Sequence, residues 1–462
     1  MPEPRSINWL LDAAEKDNIA DLLTADELGR LGQEVIRTYD IDKRARADWD
    51  RLSESALKLA KQVKEKKNFP WPGASSVKHP LITVASIQFA ARAYPEIVKG
   101  NQVVKCQITG DEPKQPPIPP QIQQQMQQQQ AQGGMPQAAG MPGKTPVPTP
   151  PKSPKQERAD RIETHMNFQL TQQMVEWDDE MDRLLHVLPV VGQCYKKTYY
   201  NNGEKRNYSE LVLPDDCVIN SRAKSIKTAR RITHRLWLYE NDVWERISRK
   251  LWLEIEGFGP TADPNDPDAP HEFLEQHCYA DLDYDGYKEP YIVTVHKQTS
   301  KVVRVLARWS DPKAVEITKS GIKKVVKIEP DHYFTHYGFI PNPDGSMNYL
   351  GFGQLLEPLN ASVNTVLNQL IDAGTAYNAG GGFIGRGVKM RGGVWAFKPG
   401  EWKFIDVPGA ALKDNLVPAP TKEPSAVLFQ LLGFLVQAGK EISSVQNILT
   451  GDAQLAASMP VG

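Results

Sequence analysis

The stretch that decides the reading is YLGFGQLLEPLNASVNTVLNQLIDAG, residues 349–374. Leu355, Leu356, Leu359, Val363, Val366, Leu367 and Leu370 recur at helical spacing and make one apolar face. Asn360, Asn364 and Asn368 fall at i, i+4 and i+8, so they form a second stripe along the same helix. An uncharged polar stripe suits an interhelical seam or a wet lumen; the alternative is an ordinary solvated face. Gly374 and the glycines at 380–382 end the pattern. A β-rich insert follows, with apolar runs at 382–385, 394–397 and 402–405, and Pro418, Pro420 and Pro424 close it. The chain then returns as PSAVLFQLLGFLVQAGKEISSV, residues 424–445. Pro424 suits a first helical turn. At 1.5 Å per residue the helix is on the order of 30 Å long, and its apolar residues wrap all round it. A helix of that kind is contacted on several sides.

Working outward, residues up to about 67 read as helix, followed by a breaker whose core is Pro70-Trp71-Pro72-Gly73. A second helix spans about 81–94, with Ile82, Ala85, Phe89 and Ala93 on one face. Residues 113–158 hold a Gln/Pro/Gly-rich stretch that has almost no core-forming side chains and reads as a disordered insertion. A long helix follows, carrying Ile162, Met166, Leu170, Met174, Trp177, Met181 and Leu184. Two strands then flank Asn201-Asn202-Gly203, a hairpin signal. After a helix near 242–251 and a proline-rich loop at 257–270, strands at 277–282, 291–296, 302–308 and 322–328 suggest an antiparallel unit. The fold class is α+β.

Composition narrows the function classes. The formal net charge is -1, so the basic excess typical of a sequence-specific DNA binder is missing. Cys106, Cys194, Cys217 and Cys278 have no zinc-ligand spacing and read as reduced thiols. The longest apolar run, 426–436, is too short to span a bilayer. No P-loop, GxSxG or HExxH occurs, and the histidines show no ligand spacing, so the expectation is a soluble protein that is not an enzyme. A metal nuclease built on Asp281 and Asp283 would need a second carboxylate pair and a lysine in register, which the sequence does not supply. Basic clusters at 61–67, 222–231 and 323–327 read as solvated faces or phosphate contacts.

One motif points to a cation. Asp281, Asp283, Asp285 and Gly286 match the first half of an EF-hand loop, where alternating carboxylates converge on a hard ion. The twelfth position is Ile292 rather than Glu, and strands flank the loop rather than helices. Glu289 offers a substitute donor, for calcium or magnesium; the bland reading is a carboxylate-rich β-turn.

Several stretches together resemble the podovirus type of tailed-bacteriophage portal protein: FPWPGASS at 69–76 with FAARAYP at 89–95, LPDD at 213–216 with Ile219-Asn220, DLDYDG at 281–286 with EPYIVT at 289–294, and QNILTGD at 446–452. The resemblance covers most of the chain outside the Gln/Pro insertion, and it is the order of these matches that carries it. It implies a portal fold assembled as a ring, usually of twelve copies. Residues 1–112 would be a helical part of the wing and 159–348 its α/β part. Residues 349–372 would be the first stem helix, 373–423 the clip and 424–445 the second stem helix.

On this reading the tunnel loop at 446–462 would turn Gln446, Asn447, Thr450, Gly451, Asp452 and Gln454 toward DNA. Arg386, Lys389, Arg391, Trp395 and Trp402 of the clip would meet partners, because arginine and tryptophan concentrate at binding hot spots; the alternative is a compact hairpin core. Asn360, Asn364, Asn368 and Lys440 would line the stem lumen or seam. The family continues past the tunnel loop with a long helix and a crown, so the expectation is a truncated portal with the crown absent. Implied partners are further copies of the chain, terminase, a head–tail adaptor, scaffold and major capsid proteins, and double-stranded DNA without sequence specificity, but no membrane. The implied location is the virion, and the host cytoplasm during assembly. Another head–tail connector or adaptor ring protein is the nearest alternative.

Overall fold

The computed structural model describes residues 5, 7–68, 71–98, 102–109, 153–256, 258–259, 266, 268–309, 315–317, 323–325, 328–379, 382–384, 389–390, 405–406, 416–418 and 423–449. Helices and strands are mixed, as an α+β chain requires. Two compact units divide it: Met1–Ala90, Leu184–Tyr195 and Val212–Gly462 form the first, and Ala91–Arg183 with Lys196–Leu211 the second.

Residues 7–97 carry α1 (Ile7–Ala14), α2 (Ala25–Ala45), α3 (Ala47–Ala60) and α4 (Leu81–Ile97). Thr24 starts α2 with a reciprocal capping box to Glu27. Next come α5 (Pro154–Phe168), a π-helical turn (Gln169–Gln173) and α6 (Glu176–Val191). Thus α5 begins inside the stretch expected to be disordered, with Ser153 capping its N-terminus. The single long helix expected here is two, because the π turn shifts the phase of the apolar face. Ile162 and Met166, before the turn, are exposed; Met174, Trp177, Met181 and Leu184, after it, are buried.

β1 (Gln193–Asn201) and β2 (Arg206–Val212) form the expected hairpin, whose residues Lys196–Leu211 belong to the second unit. Its turn is longer than an Asn-Gly turn, and Lys205 takes the left-handed conformation at φ 53°. Glu176 ties the start of α6 to the hairpin, accepting from Arg206 Nη1 at 2.6 Å and from the Ser209 amide at 3.3 Å. Lys196 is buried beneath Trp177, its Nζ 5.5 Å from the ring centroid.

The first unit is built on a five-stranded antiparallel meander: β3 (Cys217–Val218), β4 (Ile232–Leu238), β5 (His271–Ala280), β6 (Glu289–His296) and β7 (Lys301–Ala307), with α7 (Glu240–Ser248) after β4. On one face, Leu10, Val35 and Tyr39 of α1 and α2 pack on Leu274, Tyr291, Val293, Val295 and Val305. On the other, Val243, Trp252 and Ile255 cover Phe273 and Val303. The alternation in Tyr291-Ile292-Val293-Thr294-Val295 suits an antiparallel strand with one covered face, yet both faces are covered here and every residue of β6 is buried.

A bulge shifts the register where β6 Thr294 and Val295 meet β7. Asn18 satisfies the backbone freed there: its Nδ2 donates to Val303 O at 3.1 Å and its Oδ1 accepts from Val305 N at 3.0 Å. The expected strand at 322–328 is instead a short one, β9 (Lys323–Val325), paired with β8 (Val315–Ile317) outside the meander. After β10 (Phe334–Gly338) come α8 (Phe352–Ala379), the short strands β11 (Gly382–Ile384), β12 (Lys389–Met390), β13 (Ile405–Asp406) and β14 (Leu416–Pro418), and α9 (Ala426–Leu449). β11 pairs antiparallel with β14, and β12 with β13.

Candidate functional site

Helices α8 and α9 pack against each other as an antiparallel pair. Near one end, a Cβ on Gly374 would stand 4.0 Å from Pro424; near the other, a Cβ on Gly439 would stand 3.2 Å from Leu359 and 2.7 Å from Leu81. A side chain at Gly439 would therefore press on Leu81 and Leu359, and something there would have to shift. Elsewhere α9 is poorly covered. Val427, Phe429 and Phe434 are 72%, 70% and 71% exposed, and Leu431 and Ile442 are exposed beside them. A shallow groove lined by Ala361, Ser362, Thr365 and Val366 of α8 and Leu431 and Leu435 of α9 runs between the two helices.

The asparagine stripe of α8 faces inward. Asn360, Asn364 and Asn368 are all buried, so in this chain they are neither a solvated face nor the lining of a lumen. Asn364 and Asn368 bond instead to an extended segment of the same chain, residues 75–79. Asn368 Oδ1 accepts from Ser75 Oγ at 2.6 Å and Val77 N at 2.8 Å, and its Nδ2 donates to Val77 O at 2.9 Å. Asn364 Oδ1 accepts from His79 N at 2.7 Å, and Asp372 Oδ1 from Ser75 N at 2.8 Å. The prolines and glycine that keep this segment out of a helix leave its backbone groups unpaired, and the asparagines supply the partners a neighbouring strand would have given. Asn360 differs, because neither its Nδ2 nor its Oδ1 has a partner among the described residues. Lys440 is exposed, and its charge adds to burial in holding the His79 imidazole below its ordinary pKa.

The acidic turn lies at the β5–β6 hairpin, whose ladder ends on the Ala280–Glu289 pair. Tyr284 and Gly286 take left-handed conformations, φ 61° and 91°, which curl the loop. Asp281, Asp283 and Asp285 each present an oxygen within 4.8 Å of the others. The N-terminal segment braces the turn: Arg5 N donates to Asp283 O at 2.7 Å, Arg5 Nη1 to Leu282 O at 2.7 Å, and Tyr284 Oη to Glu27 Oε1 at 2.8 Å.

Glu289 is fully buried, and neither carboxylate oxygen has a hydrogen-bond partner; the buried Asp281 Oδ1 is in the same position. Burial and then the Asp283 charge push the Glu289 carboxyl up to about 8, and burial followed by the Asp285 and Asp281 charges takes Asp283 to about 6. The spacing of the aspartates is legible in the sequence. The enclosure of Glu289 is not, because it depends on both faces of β6 being covered.

The other expected site residues divide by position. Arg386, Arg391, Trp395, Trp402, Thr450, Gly451, Asp452 and Gln454 lie outside the described residues. Lys389 is in β12, and Gln446 and Asn447 are in the last turns of α9 rather than in a loop. Of the basic clusters, Lys61, Lys64 and Lys66 are exposed, whereas Arg231 turns inward to the buried Asp42. Among the described residues no helix is long and apolar enough to cross a membrane. No protein-family model matches the chain, and no curated protein matches it.

Proposed function

We propose that this chain is the subunit of a portal-type ring of a tailed bacteriophage, a conduit for DNA packaging and ejection at one capsid vertex. The observation that carries this reading is α9, a long helix whose apolar first half leaves Phe429 and Phe434 about seven-tenths exposed. An apolar stripe of that size calls for a protein neighbour. A ring supplies one by heterologous contacts, in which each copy offers the same two surfaces to the copies on either side. The antiparallel α8–α9 pair then corresponds to the stem, and the insert carrying β11–β14 to the clip.

On this reading the role is structural rather than catalytic. Terminase and later a head–tail adaptor dock at the clip, scaffold and major capsid proteins surround the wing, and double-stranded DNA passes without sequence readout. The near-zero net charge suits a duplex that must slide. Such a protein resides in the virion, and in the host cytoplasm during assembly.

Native mass spectrometry and negative-stain microscopy of the purified chain test this. The expected result is closed rings of about twelve copies, and monomers for the Phe429→Glu/Phe434→Glu variant with an unchanged circular dichroism spectrum. A wild-type chain that stays monomeric, or a variant that assembles equally well, would overturn the proposal.

A further inference from the structure

We propose that the β5–β6 turn is a calcium site, formed by Asp281, Asp283, Asp285 and Glu289 with the Tyr287 carbonyl. Three aspartates alone would not carry this, since carboxylate-rich turns are common without an ion. The second observation is Glu289. It stands at the base of the hairpin opposite Ala280, is fully buried, and has both oxygens without a hydrogen-bond partner. Asp281 Oδ1, one of the three clustered aspartates, is likewise buried and unpartnered, and the charges of all three act on Glu289. Burying a carboxylate with nothing to balance it is costly, and proteins resolve this by pairing the charge or by binding a metal. None of these three oxygens has a well-formed hydrogen bond among the described residues, and the donor beside Glu289 is the Tyr291 hydroxyl, itself buried without a formed hydrogen bond.

The ligand chemistry selects the ion. All donors are hard oxygens, with no His or Cys, which excludes a preference for zinc or copper. Counting Asp281 as the first position of a calcium loop, Asp283, Asp285, Tyr287 and Glu289 occupy the third, fifth, seventh and ninth, and Gly286 makes the sharp turn at the sixth. A many-carboxylate cage suits calcium, whereas magnesium keeps most of its waters and takes one or two carboxylates. Strands flank this loop, and Arg5 and Glu27 brace it, so the ion would act as a clamp on the hairpin rather than as a switch that opens helices. The inference is independent of ring assembly.

The test is titration calorimetry on the full chain, stripped of metal, with calcium and magnesium chloride at matched ionic strength, alongside thermal unfolding. The expected result is one calcium per chain, binding at or below about 1 mM, with a calcium-dependent rise in the unfolding midpoint and weaker binding of magnesium. Asp283→Asn and Glu289→Gln should each weaken calcium binding by about tenfold or more, as loss of a metal-site group does. Glu289→Gln should unfold no earlier than wild type without metal, because it removes a buried charge. Asp285→Asn, at an exposed position, provides a variant whose folding is not at stake. Absence of binding at millimolar calcium, binding that survives these substitutions, or tighter binding of magnesium would each overturn the assignment.

Discussion

Arg231 grips Asp42 with two charge-assisted hydrogen bonds, Nε to Oδ2 at 3.0 Å and Nη2 to Oδ1 at 2.8 Å. The Asp42 side chain is completely enclosed, and Asn220 Nδ2 donates a third bond to its Oδ1 at 2.8 Å. One carboxylate thus ties α2 to the start of β4 and to the loop before it. Removing one partner of such a pair strands the other charge, at a cost of about 3–5 kcal/mol. Asp42→Ala should lower the stability of the first unit by that order in urea unfolding, and Arg231→Met at least as much, because it strands a completely enclosed carboxylate with only Asn220 to bond it.

The asparagine stripe predicts opposite outcomes for the same chemical change. Asn368→Leu removes the partners of Ser75 Oγ and of the Val77 amide and carbonyl; these bonds are part-buried, so water takes up some of the loss and each costs about 1 kcal/mol. Asn360→Leu removes an amide that is buried without partners and should be neutral or stabilising. Denaturant midpoints of the two variants should move in opposite directions or differ by at least ~2 kcal/mol. Equal destabilisation would show that the Asn360 amide is satisfied in solution.

Gly439 sets the distance between α9 and its supports. Alanine there trades a gain in helix propensity of ~1 kcal/mol against a tight contact with Leu81. Valine adds branches that the contact cannot admit, at about 1–3 kcal/mol. Hydrogen exchange should report the Gly439→Val defect locally, with protection lost along α9 and kept in β5, β6 and β7.

Acid should act through His296. Burial, and then the neighbouring His271, hold its imidazole down at about 4, while in the unfolded chain it titrates near 6.5. Between these values the unfolded state binds more protons, so stability rises with pH across the window. The contribution is complete above pH 6.5 and is lost as pH falls toward 4, by at most ~1.4 kcal/mol per pH unit. The ring lies among Phe258, Phe273 and His271, with Nδ1 2.9 Å from Thr299 Oγ1. Unfolding midpoints of His296→Phe should therefore fall less steeply than wild type between pH 6.5 and 4.

Local periodicity made much of the fold readable in advance. The N-terminal helices, the β1–β2 hairpin, the β5–β7 strands and the α8–α9 pair all announce themselves through spacing. What escaped depends on contacts distant in sequence. The inward turn of Asn364 and Asn368 is decided by residues 75–79, nearly three hundred positions away, and nothing in the stripe itself names that partner. The π turn at Gln169–Gln173 is hidden because the apolar spacing runs through it, although only the half after it is buried. Asn18 caps the short turn Ile19–Leu22, accepting from Ala20 N, and its second task at the β7 bulge exists only once the sheet has formed. The acidic turn was legible as a motif, but the isolation of Glu289 depends on how both faces of β6 are covered.

The docking of residues 75–79 on α8 also sets an order of events during synthesis. Val77 and Asn368 are 291 positions apart, and at 5–20 residues per second the ribosome needs on the order of 15–60 s to cover that distance. Until α8 emerges, the amide and carbonyl groups of this segment have only water or a chaperone to engage. The nascent segment at 75–79 is therefore an unfinished half of a contact, and the arrival of α8 acts as a latch that closes only after almost three hundred further residues have been made.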